Sequence, residues 1–277
     1  ARAIAERLST VFKQPFVVEN VAGANGEVAA RQLLDRPADG YTLMWAASSQ
    51  LIYGPALQKA SRFDPIRDFS LIAIASGYAY VAVVPSSLPV RDMKEFIQYA
   101  RKNTGKLSFA SGSVGGANHL AGEWLNSLAG LDLQHIPYKG DARAAADVAS
   151  GDVTFGFLAP NLVMPLVKSG KLRALAVTGS TRQDAMADIP TMRESGLEQF
   201  TVELFSGLVA RSGTPPEIVN ALNEAIAVIL KDPEVVARLA ALGTYPMPHS
   251  PSQFRQTVQQ QLKHWRGIVK AANVPEE

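Results

Sequence analysis

Apolar residues recur at helical spacing from the first turn of the chain, with Ile4, Leu8 and Val11 on one face of a helix predicted over residues 2–13. FVVEN, residues 16–20, reads as a buried strand, and GANGEVAARQLL as a turn entering a second helix. Strands are predicted over 41–47, 69–76 and 79–85, then a helix over 91–103 with Met93, Phe96, Ile97 and Ala100 inward. Alternation continues through strand 107–111, helix 118–129, strand 134–138, helix 141–150, strand 153–158, a helix over about 161–169 and strand 172–179. Strands apolar on both faces, alternating with amphipathic helices, predict a mostly parallel sheet covered by helices and wound through right-handed crossovers. Beyond residue 190 the pattern changes to a long strand, 201–211, and three helices: one opened by Pro215-Pro216, one over 233–242, and one over about 252–272. The last carries Phe254, Val258, Leu262, Trp265 and Val269 on one face, so it packs rather than trails.

These strands exceed what one such sheet needs, and 277 residues sit near the size at which chains divide into two domains. Hydrophobic content of 47% and charged content of 19% describe an ordinary globular chain. Lysine and arginine exceed the acids by 27 to 25 and are dispersed, so nothing forms a nucleic-acid footprint. Cysteine is absent, which excludes disulfides, thiolate catalysis and thiolate metal sites. No apolar stretch is long enough to span a membrane.

SGSVGGANHL, residues 111–120, lies between a strand and a helix. The first turn of a helix has unpaired N–H groups and the positive end of a dipole, and ligands of α/β sheets sit beyond the carboxyl ends of strands. Gly112, Gly115 and Gly116 let backbone approach an anion without a Cβ in the way. A carboxylate or phosphate there takes hydrogen bonds from the Ser111 and Ser113 hydroxyls and from the N–H groups around Gly116, Ala117 and Asn118; His119 points toward the same place. A ligand-free turn is the plain alternative. The GxxGG spacing is not a dinucleotide fingerprint. Ser48, Ser49 and Gln50 follow another strand, and Asn161 a third; each is a ligand group or a helix cap. Trp45, Tyr53 and Tyr138 are pocket-wall candidates whose default place is the core. No histidine–carboxylate spacing marks a metal, no nucleophile elbow is present, and no catalytic residue or cofactor site stands out.

Three strings resemble the extracytoplasmic solute-binding receptors of tripartite tricarboxylate transporters, the Bug or TctC-like proteins: GYTLMWAASSQ; LSFASGSVGGANHLAGEWLNSLAG with QHIPYKGDARAAADVASGDVTFGF; and GKLRALAVTGSTRQDAMADIPTMRESG. The resemblance runs over essentially the whole chain. It implies an α/β type II periplasmic-binding-protein fold, with two doubly wound lobes joined by two crossing strands and a ligand cleft between them. Domain 1 is then discontinuous, residues 1–80 and 209–277, and domain 2 is 81–208. Also implied are a periplasmic location, no enzymatic activity, no cofactor or metal, and a monomer that captures a small carboxylate by lobe closure and delivers it to membrane permease subunits. Di- and tricarboxylates, acidic amino acids and aromatic acids are the implied ligands. The family's cleft loops map onto Ser48–Gln50 and Ser111–His119, with Asn161 on a further loop. A ligand-sensing module for a signalling partner and an enzyme acting on a small acid remain as alternatives. Family members begin earlier, with a strand and a PFxPGG-type loop, whereas this sequence starts inside the first helix at Ala1, so the first domain is expected to lack that strand and loop. GANG at 23–26 replaces a more glycine-rich turn, with only local change expected.

Overall fold

The computed structural model describes residues 1–21, 23, 26–57, 63–183, 186–271 and 274. It divides into two compact units: Ala1–Gly77 with Leu204–Gly267, and Tyr78–Glu203 with Ile268–Val274. The chain leaves the first unit within one strand, at Gly77–Tyr78, and re-enters it at Glu203–Leu204.

The first unit holds α1 (Arg2–Phe12), α2 (Glu27–Leu34), β1 (Leu43–Ala47), a π-helical turn (Ser49–Tyr53), α3 (Gly54–Leu57) and most of β2 (Phe69–Ala79). The second unit contributes β3 (Val81–Pro85), α4 (Met93–Lys102), β4 (Ser108–Ser111), α5 (Ala117–Ala129), β5 (Gln134–Pro137), α6 (Asp141–Ser150), β6 (Phe155–Leu158), α7 (Pro160–Lys168) and β7 (Leu172–Val177). Then follow β8 (Glu203–Arg211), α8 (Pro216–Ile229), α9 (Pro233–Ala241), β9 (Tyr245–Pro246) and α10 (Pro251–Ala271).

The first unit's sheet runs β1-β8-β2-β9, with β1 antiparallel to β8 and β2 antiparallel to β9. The parallel character expected of this region is therefore absent from those two ladders. FVVEN is the clearest departure from expectation: residues 16–20 form no strand, and Val17 is 80% exposed. Apolar alternation makes a strand only where a ladder partner accepts it. Here the Phe16 N–H donates to the Ser9 hydroxyl at 2.8 Å, and the Phe16 ring rests on the unit's core. That core joins Ile4 and Leu8 of α1 to Leu222, Ile226 and Ile229 of α8. Val11, expected on the same face, is exposed. In the turn at 23–26, Ala24 and Asn25 lie outside the described residues; Gly23 and Gly26 both have positive φ, 132° and 90°.

The second unit's sheet runs β5-β4-β6-β3-β7 and is mixed. β4 is parallel to both β5 and β6, while β3 is antiparallel to β6 and β7. From β4 the chain steps through α5 to β5 on one side, then through α6 past β4 to β6 on the other. Right-handed crossovers place two such connections on opposite faces of the sheet, so the strand order reverses at β4. Beneath α5, Phe109 of β4 presses directly against Gly122, and an added Cβ there would collide with the ring. Phe109 is fully buried and cannot swing out. We expect Gly122→Ala to lift α5 off β4 and to cost about 1–3 kcal/mol, the usual range for overpacking a filled core; an unchanged melting temperature contradicts this packing.

Candidate functional site

At the reversal of strand order, the carboxyl ends of β4, β5 and β6 lie along one edge of the second unit, and α5, α6 and α7 begin there. The β4–α5 corner turns at Gly115, whose φ of 71° favours a residue without a Cβ, and Gly116 is the extended N-cap of α5 with no side-chain cap. A side chain at Gly116 would meet the Ser113 hydroxyl at 2.7 Å and Asn118 Oδ1 at 3.2 Å. The Gly115 N–H donates to His119 Nδ1 at 3.0 Å, and the Gly116 N–H reaches the Ser113 carbonyl at 3.4 Å. The Ala117 and Asn118 N–H groups have no acceptor among the described residues, although both residues are buried. Such a pair at the positive end of a 13-residue helix is a place for an anion.

Side chains under the corner hold it in shape. Ser111 is fully buried, and its hydroxyl donates to the Ser113 carbonyl at 2.8 Å. That uses its one proton, so the 2.6 Å contact with His135 Nε2 requires the imidazole to donate. Ser111 therefore has no proton left for a ligand. His119 is only 4% exposed; it stacks on His135 with centroids 3.8 Å apart and faces inward rather than into a crevice. Because His119 Nδ1 accepts from Gly115, its proton is on Nε2, 3.7 Å from Glu123 Oε1. Ser113 is exposed and its hydroxyl donates to no described group, so it remains available.

Asn161 is the second residue of α7, after Pro160 and the N-cap Ala159; it is exposed, and its side chain makes no hydrogen bond among the described residues. It is not the helix cap. Since β6 lies beside β4, Asn161 shares the edge with the β4–α5 corner. In the first unit, the buried Ser48 hydroxyl accepts from Phe205 N–H at 3.4 Å, and Gln50 Oε1 accepts from Ala47 N–H at 2.8 Å. Both side chains brace the start of the π-helical turn, and Ser49 is half-buried beside them. A hollow of about 610 Å³ in this unit is lined by Val17–Val21 and Tyr41–Trp45 and includes none of these three residues. Trp45 and Tyr138 rest against core clusters and Tyr53 packs on Trp265 at 5.0 Å, as the default for aromatics has it.

Asp141, which the sequence alone did not single out, belongs to this edge. Its Oδ1 accepts from Asn118 Nδ2 at 2.8 Å, and the carboxylate also takes the Gly112 N–H. Burial raises its pKa despite those two bonds. Burial raises Tyr78 as well, reinforced by the charge of Asp141, so the carboxylate's field reaches the amino end of β3. The parallel pairing of β4 with β5, Ser111 opposite Pro137, brings the first turn of α6 here.

Burial depresses both His119 and His135 to about 4, the latter also through its neighbour. An unfolded imidazole protonates near 6.5, so between these values the unfolded chain binds more protons. The pair's contribution to stability is complete above about 6.5 and is lost as pH falls toward 4. Asp141 and Glu123, raised by burial, act in the opposite sense. The His119 and His135 imidazole resonances are expected to keep neutral-state shifts at about pH 5.5; imidazolium shifts there would contradict this placement.

Two α/β units, one carrying unpaired amides where its strand order reverses, define a small-molecule binding protein of the periplasmic type. The profile described as "Tripartite tricarboxylate transporter family receptor" matches residues 1–274. Protein BugT of Bordetella pertussis is 31% identical over 271 residues, 98% of this chain and 83% of that protein. The structure of R. palustris Rpa4515 with adipate superposes with a TM-score of 0.85 at 30% identity, covering 99% of this chain and 91% of that one. The periplasmic binding protein BugD gives 0.81 at 30%, covering 99% and 92%. This chain belongs to the tripartite tricarboxylate transporter receptor family. It has that family's type II periplasmic-binding-protein fold, and it is a periplasmic solute-binding receptor for a small organic acid rather than an enzyme.

Proposed function

We propose that the receptor holds a carboxylate of its solute on the Ala117 and Asn118 amides at the start of α5. The observation that carries this reading is that those two buried N–H groups have no acceptor among the described residues, at the reversal of strand order. Hydrogen bonds to a charged group are each worth about 1.5–3 kcal/mol, and the helix dipole adds to them. The Ser113 hydroxyl, the Gly115 and Gly116 backbone and the Asn161 amide complete the grip in the second unit; Ser111 and His119 set the corner's shape from below. Ser48, Ser49 and Gln50 supply the first domain's share through backbone groups at the π-helical turn, their side chains being engaged. Residues 1–80 with 209–277 and residues 81–208 are then the two binding domains.

The ligand is a di- or tricarboxylate, an acidic amino acid or an aromatic acid; the adipate in Rpa4515, an open-chain diacid, favours the first class. Capture proceeds by closure of the domains on the acid, and a monomeric receptor hands it to membrane permease subunits. A thermal-shift screen against a carboxylic-acid library tests the reading. A true ligand raises the melting temperature with concentration as mass action requires, and no shift with any acid overturns it. For the acid found, Gly116→Val is expected to weaken binding at least about tenfold, a loss of about 1.4 kcal/mol, by filling the approach to α5; unchanged affinity in titration calorimetry contradicts the assignment.

A further inference from the structure

We infer that Asp141 is a specificity-determining residue, selecting carboxylic acids that carry a positively charged ammonium group over acids that carry none. The inference rests on the β4–α5 corner being the acid site proposed above, and it narrows the solute class for that site.

Asp141 touches the proposed site directly. It takes the N–H of Gly112 and the side-chain amide of Asn118, both residues of the β4–α5 corner, the latter at 2.8 Å. The fit is close, for a Cβ on Gly112 would collide with Asp141 Oδ1 and lie 2.9 Å from its backbone nitrogen. A fixed negative charge thus stands beside the place where the solute's own carboxylate is to rest.

Nothing cationic answers that charge. Among the described residues no lysine, arginine or histidine forms an ion pair with Asp141. Arg143, two residues along α6, is turned to Asp147 at 3.0 Å. The neighbouring imidazoles are stacked on each other and bonded to Gly115 and Ser111. The other groups facing it are a neutral amide, a peptide N–H and the Tyr78 phenol. A half-buried carboxylate without a counter-charge repels a plain acid arriving next to it, and it attracts a cation presented by the same molecule. An α-ammonium, one carbon from its carboxylate, has the reach to meet Asp141 while the acid group takes the α5 amides. The solute class is therefore a zwitterionic amino acid.

Matched pairs of acids isolate the effect: succinate with aspartate, glutarate with glutamate, and phenylpropionate with phenylalanine, each differing only in the ammonium. Calorimetric affinities of the wild-type chain and of Asp141→Asn are compared, the asparagine keeping the acceptor for Gly112 and Asn118 while removing the charge. Wild type is expected to prefer the ammonium member of the pair it binds by at least about tenfold, and the variant to bring that ratio close to one. Asp141→Ser, with the same readout, serves if the asparagine variant melts early. A wild-type preference for the plain acid, or a ratio untouched by either substitution, overturns the role of Asp141 and leaves the acid site standing. Failure of every acid to bind wild type and variants alike overturns the site itself, and this inference with it.

Discussion

Two buried peptide N–H groups without acceptors, Ala117 and Asn118, are the constraint on which the functional reading depends. A buried donor left without a partner costs about 1–3 kcal/mol, so a fold keeps such groups only where something else compensates. Here they open α5, and the compensation arrives from outside as an anion. The surroundings make the corner rigid enough to wait for it. Phe109 seats α5 through Gly122, Ser111 ties the loop to His135, and His119 reaches back to Gly115. Each of these bonds is internal, which leaves the outward amides free.

Topology decides why this happens at α5 rather than at another helix. The steps from β4 to β5 and from β5 to β6 run in opposite directions, so the helices leave β4 on opposite faces and do not close over its end. The β6–α7 corner with Asn161 and the first turn of α6 with Asp141 come to the same edge because β5, β4 and β6 are parallel neighbours. The arrangement supplies donors on one side and a single fixed negative charge on the other.

Much of this was legible in the residues. A strand, a glycine run and an amphipathic helix in succession place an amide-rich corner at a sheet edge, and that is what SFAS, GSVGG and ANHLAGEWL build. Side-chain direction was less legible. Ser111 and His119 read as ligand groups from their position, yet both turn inward, because the partner that turns them, His135, lies in a neighbouring strand. Asp141 was missed for the same reason: 23 residues separate it from Asn118, and only the pairing of β4 with β5 makes them neighbours. The signal that could have found it is an acidic first residue on the helix following an adjacent parallel strand. FVVEN misled because alternation reports burial on one side and says nothing about a ladder partner. The π-helical turn after β1 has no periodic signature at all, and its serines imitate a cap.

Backbone amide shifts on addition of the bound acid test the central claim most directly. The Ala117 and Asn118 N–H resonances should move downfield more than any others in the second unit, as amides do on gaining a charged acceptor. If those two stay in place while amides elsewhere respond to a saturating acid, the carboxylate is held by other groups and this account of the receptor is wrong.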